Sequence, residues 1–316
     1  MSFLSPTATP GRDPIEALVQ SPGDAVLAVI TGIEGPSYRP VGAAMAVFAS
    51  GERAGTLSSG CIESDIAHHS AEALETGKPV AIRYGRGSPF MDIQLPCGGG
   101  LDILLVPRPD RRVLDEVTRT RVERVPCTLR IGRETGRLSL EDRGETGPDG
   151  EDFLVRYEPP VRFLVFGKGP EACTFAALVN SAGYPNLLLS PDPETLEIGA
   201  AAGCPTHALV QPEFPVEAGA DAWTAVVLFF HDHDWEPAIL QGALGTPAFY
   251  IGSQGSRRAR DARHMELEAM GVAPEAIARL HGPVGLIPSA RDAGTLAVSV
   301  LAEVLAVAME RAETTG

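Results

Sequence analysis

Residues 161–172 read Val161-Arg162-Phe163-Leu164-Val165-Phe166-Gly167-Lys168-Gly169-Pro170-Glu171-Ala172. An apolar run of strand length passes straight into Gly167-x-Gly169-x-x-Ala172, after which a helical pattern begins. This spacing lets the backbone turn tightly, approach a phosphate closely and offer it a helix N-terminus. The competing reading is a glycine turn that only packs helix on strand. Downstream, strand-like segments at 186–189, 207–210, 224–230 and 248–251 alternate with helix-like segments at 171–182, 194–202, 236–244 and 256–270. Such alternation predicts βαβ units and a Rossmann-like, doubly wound parallel sheet over 161–316. A last helix, from Ala293 to about Arg311 and capped by Asp292, places Leu296, Val300, Val304 and Val307 on one face.

Upstream of that stretch the pattern changes. Short β-like runs at 25–31, 43–49 and 101–106, with Gly-rich turns between them and a helix at 62–75, predict a smaller α+β domain over 1–110. Residues 111–160 are rich in Arg, Glu and Gly. There 127–131 and 137–140, joined across Glu134-Thr135-Gly136, read as a hairpin within a polar linker segment.

Composition narrows the function classes. Of 316 residues, 44% are hydrophobic and 21% charged, the mix of a soluble globular chain. A formal net charge of -15 argues against a general nucleic-acid surface, which needs clustered Lys and Arg. No apolar run is read as approaching the roughly 20 residues of a membrane span, and no basic segment followed by an apolar one marks a signal peptide. A cytoplasmic protein is expected. The five cysteines, Cys61, Cys97, Cys127, Cys173 and Cys204, form no C-x-x-C pair and are expected to be free thiols.

Several residues could carry chemistry. Lys168 adds positive charge within the glycine loop, and Asp192, 25 residues after Gly167, stands where an acidic side chain could hold a ribose hydroxyl. A Pro-Asp-Pro turn explains Asp192 equally well. His231-Asp232-His233-Asp234 ends an apolar strand abruptly, so these side chains could line a ligand crevice, cap the next helix or contribute to a metal site. Gly252 and Ser253, within Ile251-Gly252-Ser253-Gln254-Gly255-Ser256-Arg257-Arg258, form a second candidate anion cradle, with a simple helix cap as the alternative. Cys61, in Ser58-Ser59-Gly60-Cys61-Ile62-Glu63, stands at a helix start, where a thiolate is favoured. Cys97 is followed by Gly98-Gly99-Gly100, which leaves it open to close approach; either thiol could instead be a small buried apolar residue.

Taken together, the segments 35–45 and 54–63, the Pro96-Cys97-Gly98-Gly99 step, the Gly167 loop, the His231 strand end, 251–258, and 279–286 followed by 296–299 resemble the XdhC/CoxI family of molybdenum-hydroxylase accessory proteins. The resemblance covers nearly the whole chain. It implies a maturation factor that binds molybdenum cofactor as molybdopterin or its cytosine dinucleotide, assists its sulfuration and delivers it, and it leaves open whether the chain is itself a catalyst. The implied partners are an apo-molybdoenzyme client and a cysteine desulfurase, with a homodimer as the candidate assembly. Cys61 and Cys97 would face the molybdenum end; Gly98, Gly99, Gly167, Lys168, Gly169, Asp192, His231, His233, Gly252 and Ser253 would complete the cofactor contacts. The alternative is an NAD(P)-dependent oxidoreductase with His231 or His233 as acid or base.

Overall fold

The computed structural model describes residues 8–9, 12–58, 60–88, 95, 98–230 and 234–315. Among them the chain divides into two units, Met1–Pro159 and Pro160–Gly316.

In the first unit the elements run β1 (Ala8–Thr9), α1 (Pro14–Gln20), β2 (Ala25–Glu34), β3 (Ala44–Phe48), β4 (Arg53–Gly55), α2 (Glu63–Thr76), β5 (Val80–Gly85) and β6 (Gly100–Pro107). They continue through α3 (Arg111–Val122), β7 (Cys127–Gly132), β8 (Leu138–Glu141), β9 (Gly147–Asp149) and β10 (Asp152–Tyr157). One sheet has the order β1-β4-β3-β2-β6-β5, antiparallel except for the β1–β4 pair. Successive β2 side chains face opposite ways, as a pleated strand requires. Val26, Ala28 and Ile30 join Ile66 and Ala73 of α2 in one core, whereas Ala25, Leu27 and Val29 join Leu18 of α1 and Leu114 of α3 in the other. A strand covered on both faces is apolar at consecutive positions, which is why the start of β2 reads as a continuous run.

The expected hairpin of the 111–160 stretch is β7 paired with β8. The rest of that stretch is not a linker. It adds α3 and an antiparallel sheet of order β8-β7-β10-β9, and Leu129, Ile131, Phe153 and Val155 pack into the same core as β2. Alternating polar side chains on the outer face of this sheet conceal its buried face in the composition.

In the second unit β11 (Arg162–Gly167), α4 (Pro170–Ser181), β12 (Asn186–Ser190), α5 (Pro193–Ala201) and β13 (Thr206–Ala208) form the first half. The second half comprises β14 (Thr224–Phe229), α6 (Glu236–Leu244), β15 (Tyr250–Ser253), α7 (Arg257–Ala269), α8 (Pro274–Ile277), β16 (Leu280–His281) and α9 (Ala293–Thr315). All six strands are parallel, in the order β13-β12-β11-β14-β15-β16. Numbered within the unit, this is 3-2-1-4-5-6, the dinucleotide-binding arrangement whose ligand crevice opens where the order reverses, between β11 and β14. Phe163 and Val165 pack with Phe175 of α4 and Val300 of α9; Leu164 and Phe166 pack with Leu240 of α6 and Leu267 of α7.

The Asp292 cap is present, its Oδ1 accepting from Thr295 N at 2.7 Å. The membrane reading needs correcting, since Ala293–Arg311 is long and apolar enough to cross a bilayer by length and composition, with a mean hydropathy of 1.7. Small and β-branched residues at helical spacing raise the hydropathy there without forming one uniform apolar run. In the second unit Ala297, Val300 and Val304 of this helix are buried core residues.

Candidate ligand site

At the end of β11 the two glycines have different physical causes. A Cβ on Gly167 would lie 2.6 Å from the Phe229 carbonyl oxygen and 3.0 Å from Ala172 Cβ, so this position admits only hydrogen where β11, β14 and α4 meet. Gly169 is the N-cap of α4 at φ 79°, ψ -163°, backbone that essentially only glycine adopts, and the space above it is open. A helix N-terminus with open space above suits an anion. Two donors are nonetheless withdrawn: Gly169 N donates to Thr195 Oγ1 at 2.9 Å, and Pro170 has no N–H. Lys168 Nζ lies 5.8 Å over the Trp235 ring, at the entry to α6.

Asp192 is the N-cap of α5. Its Oδ2 accepts from Thr195 N at 2.9 Å and from the Thr195 hydroxyl, which in turn holds Gly169. Hydrogen bonds from Thr195 keep the Asp192 carboxyl below its ordinary range, with Lys168 adding to the effect. The turn reading of Asp192 thus accounts for this oxygen, and through Thr195 the residue supports the glycine loop.

The expected 251–258 cradle is displaced by two residues because β15 extends to Ser253. Gly252 pairs with Val227 on one side and His281 on the other. A Cβ on Gly252 would come within 2.7 Å of Val284 Cγ1, so the glycine serves packing. Ser253 is fully buried and its hydroxyl donates to Glu236 Oε1. Glu236 Oε2 lies 3.0 Å from Arg263 Nε, and these side chains are only 3% and 5% exposed. Arg263 Nη2 donates to the Gln254 carbonyl at 3.0 Å, and Gln254 Nε2 reaches the Phe230 carbonyl at 3.4 Å. Beside this network, at the C-terminal ends of β14 and β15, lies a cavity of about 330 Å³.

The first unit holds the described thiol that is exposed. Of the cysteines described, Cys127, Cys173 and Cys204 are buried, and burial pushes each thiol above its ordinary value; Cys61 is exposed. The loop carrying Cys61 is folded around Glu63, the first residue of α2. Glu63 Oε1 accepts from Thr56 Oγ1, Leu57 N and Ser58 N at 2.5, 3.1 and 2.8 Å. Its Oε2 accepts from Ser58 Oγ, Gly60 N and Ile62 N at 2.6, 2.9 and 3.2 Å. Burial raises the Glu63 carboxyl, but these donors outweigh it and hold the group down at about 2. Cys61 N itself donates to Ser58 Oγ at 3.0 Å, so the backbone groups around the thiol serve the loop.

Gly98 has φ 71° with open space above it, whereas a Cβ on Gly99 would lie 2.2 Å from the Pro36 carbonyl oxygen. Leu95 belongs to the same core cluster as Leu57 and Ile62. Cys97, His231 and His233 lie outside the described residues. Among the described residues no group of three or more His, Cys, Asp or Glu could hold a metal ion.

Glu63, Glu236, Gln254 and Arg263 were not among the candidates read from sequence. Arg263 did carry a signal, since it falls four residues from both Ala259 and Leu267, on the inward stripe of an Arg-rich helix.

Two family models match: an XdhC Rossmann domain over residues 163–304 and the XdhC and CoxI family over residues 18–85. The molybdenum cofactor insertion chaperone PaoD of Escherichia coli K12 is 35% identical over 305 residues, covering 96% of this chain and 89% of that protein. A probable xanthine dehydrogenase subunit of Bacillus subtilis 168 is 24% identical, covering 92% and 95%. Among solved structures, a xanthine dehydrogenase from Bacillus halodurans shares the fold with a TM-score of 0.75 at 21% identity, over 94% of this chain and 95% of that one.

Proposed function

This chain belongs to the XdhC and CoxI family, and on that premise we propose that it carries molybdenum cofactor as cargo for an apo-molybdoenzyme of xanthine dehydrogenase, aldehyde oxidase or CO dehydrogenase type. It assists the sulfuration of that cargo, with a cysteine desulfurase as sulfur donor, and its insertion into the client in the cytoplasm. Two observations, one in each unit, carry this reading: the thiol of Cys61 is exposed in the first, and the strand order and Gly169 terminus of the second suit a phosphate-bearing ligand. Thiolate suits the soft molybdenum end; the helix terminus and Lys168 suit the phosphate or pyrophosphate end. Cys97, beside Gly98 and Gly99, is the second thiol of this proposal.

Protein purified from a host that makes the cofactor is expected to retain molybdenum and a pterin, read by metal analysis and mass spectrometry. Cys97→Ala and Cys61→Ser should each lower that content, or the activation of the client, without changing the melting temperature. Purification with no pterin or nucleotide cofactor bound would overturn the proposal.

A further inference from the structure

The cavity beside Arg263 opens at the C-terminal ends of β14 and β15 in the second unit. It is lined by Phe230, the residue that follows Phe229; Phe229 pairs with Gly167 across the sheet and accepts from Lys168 N at 3.3 Å. The Gly167–Gly169 turn and the cavity therefore lie at the same edge of the sheet, the turn at the end of β11 and the cavity at the ends of β14 and β15.

Its chemistry is specific. Its polar lining is Glu236, Arg263 and Gln254, only 3%, 5% and 8% exposed, with the exposed Ser289. Arg263 Nε lies 3.0 Å from Glu236 Oε2 as an ion pair without a hydrogen bond, Nη2 donates to the Gln254 carbonyl, and Nη1 has no acceptor among the described residues. A guanidinium nitrogen with spare N–H groups at a cavity wall calls for an oxygen. Because Glu236 compensates the guanidinium charge at 3.0 Å, that oxygen need not carry a full negative charge. The remaining walls include Phe230, Val284, Ile287 and Leu296, which suit a flat apolar body. A volume of about 330 Å³ is at the small end of the roughly 300–1,000 Å³ range of ligand pockets, room for one ring system instead of a whole nucleotide.

We propose that this cavity is a subsite for a flat, uncharged heteroaromatic ring bearing a carbonyl beside a ring nitrogen, the chemistry shared by a pterin and a cytosine base. The carbonyl accepts from Arg263 Nη1, and the ring lies between the apolar walls. The choice of these two rings rests on the cofactor reading above; the acceptor and shape requirements do not.

The full chain is titrated with neopterin, followed by its intrinsic fluorescence, and with cytidine monophosphate, inorganic phosphate and NAD, followed by calorimetry. Two variants report on the cavity. Ala259→Leu fills it from the first turn of α7 and leaves the ion pair intact; Arg263→Lys keeps a cation for Glu236 but removes the forked nitrogen. Melting temperatures confirm that both are folded. Neopterin or cytidine monophosphate should bind, and each variant should weaken the one that binds by about tenfold or more, the scale of a hydrogen bond to a charged group. Which of the two binds names the ring. Unchanged binding in both folded variants would overturn the subsite while leaving the cofactor reading intact. Binding of phosphate or NAD alone would overturn the ring chemistry. Variant-sensitive ring binding by a chain that retains no molybdenum cofactor would support the subsite and sink the cofactor reading.

Discussion

Glu63→Gln tests whether one carboxylate organises the loop that presents Cys61. The six donors around Glu63 favour its ionised form, lowering the carboxyl from 4.5 to about 2 despite burial. A depressed carboxyl contributes stability above its unfolded value and loses it as pH falls through the folded one. A lowering of roughly 2.5 units is worth on the order of 3 kcal/mol, with about 2 kcal/mol of it gone by pH 3. Glutamine imitates the protonated acid, turning an NH₂ group toward backbone N–H groups that need an acceptor. The variant should therefore be about 3 kcal/mol less stable than the wild type at pH 7. The gap should narrow to about 1 kcal/mol at pH 3, because the wild type loses there what the variant already lacks. Urea unfolding of both proteins at pH 7, 5, 4 and 3 measures this difference, and other titrating groups cancel between them. A gap that stays constant over the series would refute the claim that the loop is held by the charge on Glu63.

In the second unit, Gly167→Ala should destabilise by about 1–3 kcal/mol through overpacking against the Phe229 carbonyl. Gly169→Ala should have a similar effect through backbone strain alone, since nothing lies within 4 Å of its Cβ position. Thermal unfolding measures both, and an unchanged melting temperature in either would contradict the cause given for it. Glu236→Gln leaves Arg263 buried beside a neutral partner and should lower stability by about 3–5 kcal/mol, checked by urea unfolding; a loss under 1 kcal/mol would mean that the pair is not desolvated. Cys61→Ser should leave the melting temperature within a degree or so, because the thiol is exposed, while lowering the molybdenum retained on purification.

The parallel sheet was legible because βαβ units write their period into the chain, and five of its six strands fall on segments anticipated from that period. The sixth, Leu280–His281, is too short to leave a pattern, and β15 runs two residues beyond the apolar run because Gly252 and Ser253 have little hydropathy yet still pair on the ladder. In the first unit α3 shows only Leu114 and Val117 as buried residues among its arginines, so the helix resembled polar connecting chain. The candidate sites divide similarly. Gly167, Gly169 and Cys61 stood out in the sequence because glycine and cysteine carry their chemistry locally. The glutamates were not, since what they do depends on distant partners: Glu236 meets Ser253 and Arg263 only once three elements pack together.

Those two glutamates share a geometry. Glu63 is the first residue of α2 and Glu236 the first residue of α6, and neither helix has a side-chain hydrogen bond from its N-cap residue. A carboxylate at this position gains from the helix dipole. Each then turns inward and gathers the groups beside a candidate site: the backbone of the Cys61 loop in one unit, Ser253 and Arg263 in the other. The same device uses different donors. Around Glu63 they are neutral N–H and O–H groups. Around Glu236 a guanidinium supplies the counter-charge, which leaves the cavity polar but nearly neutral. An exposed thiol on a clamped loop and a charge-compensated guanidinium at a largely apolar cavity are different kinds of recognition, and each unit carries its own.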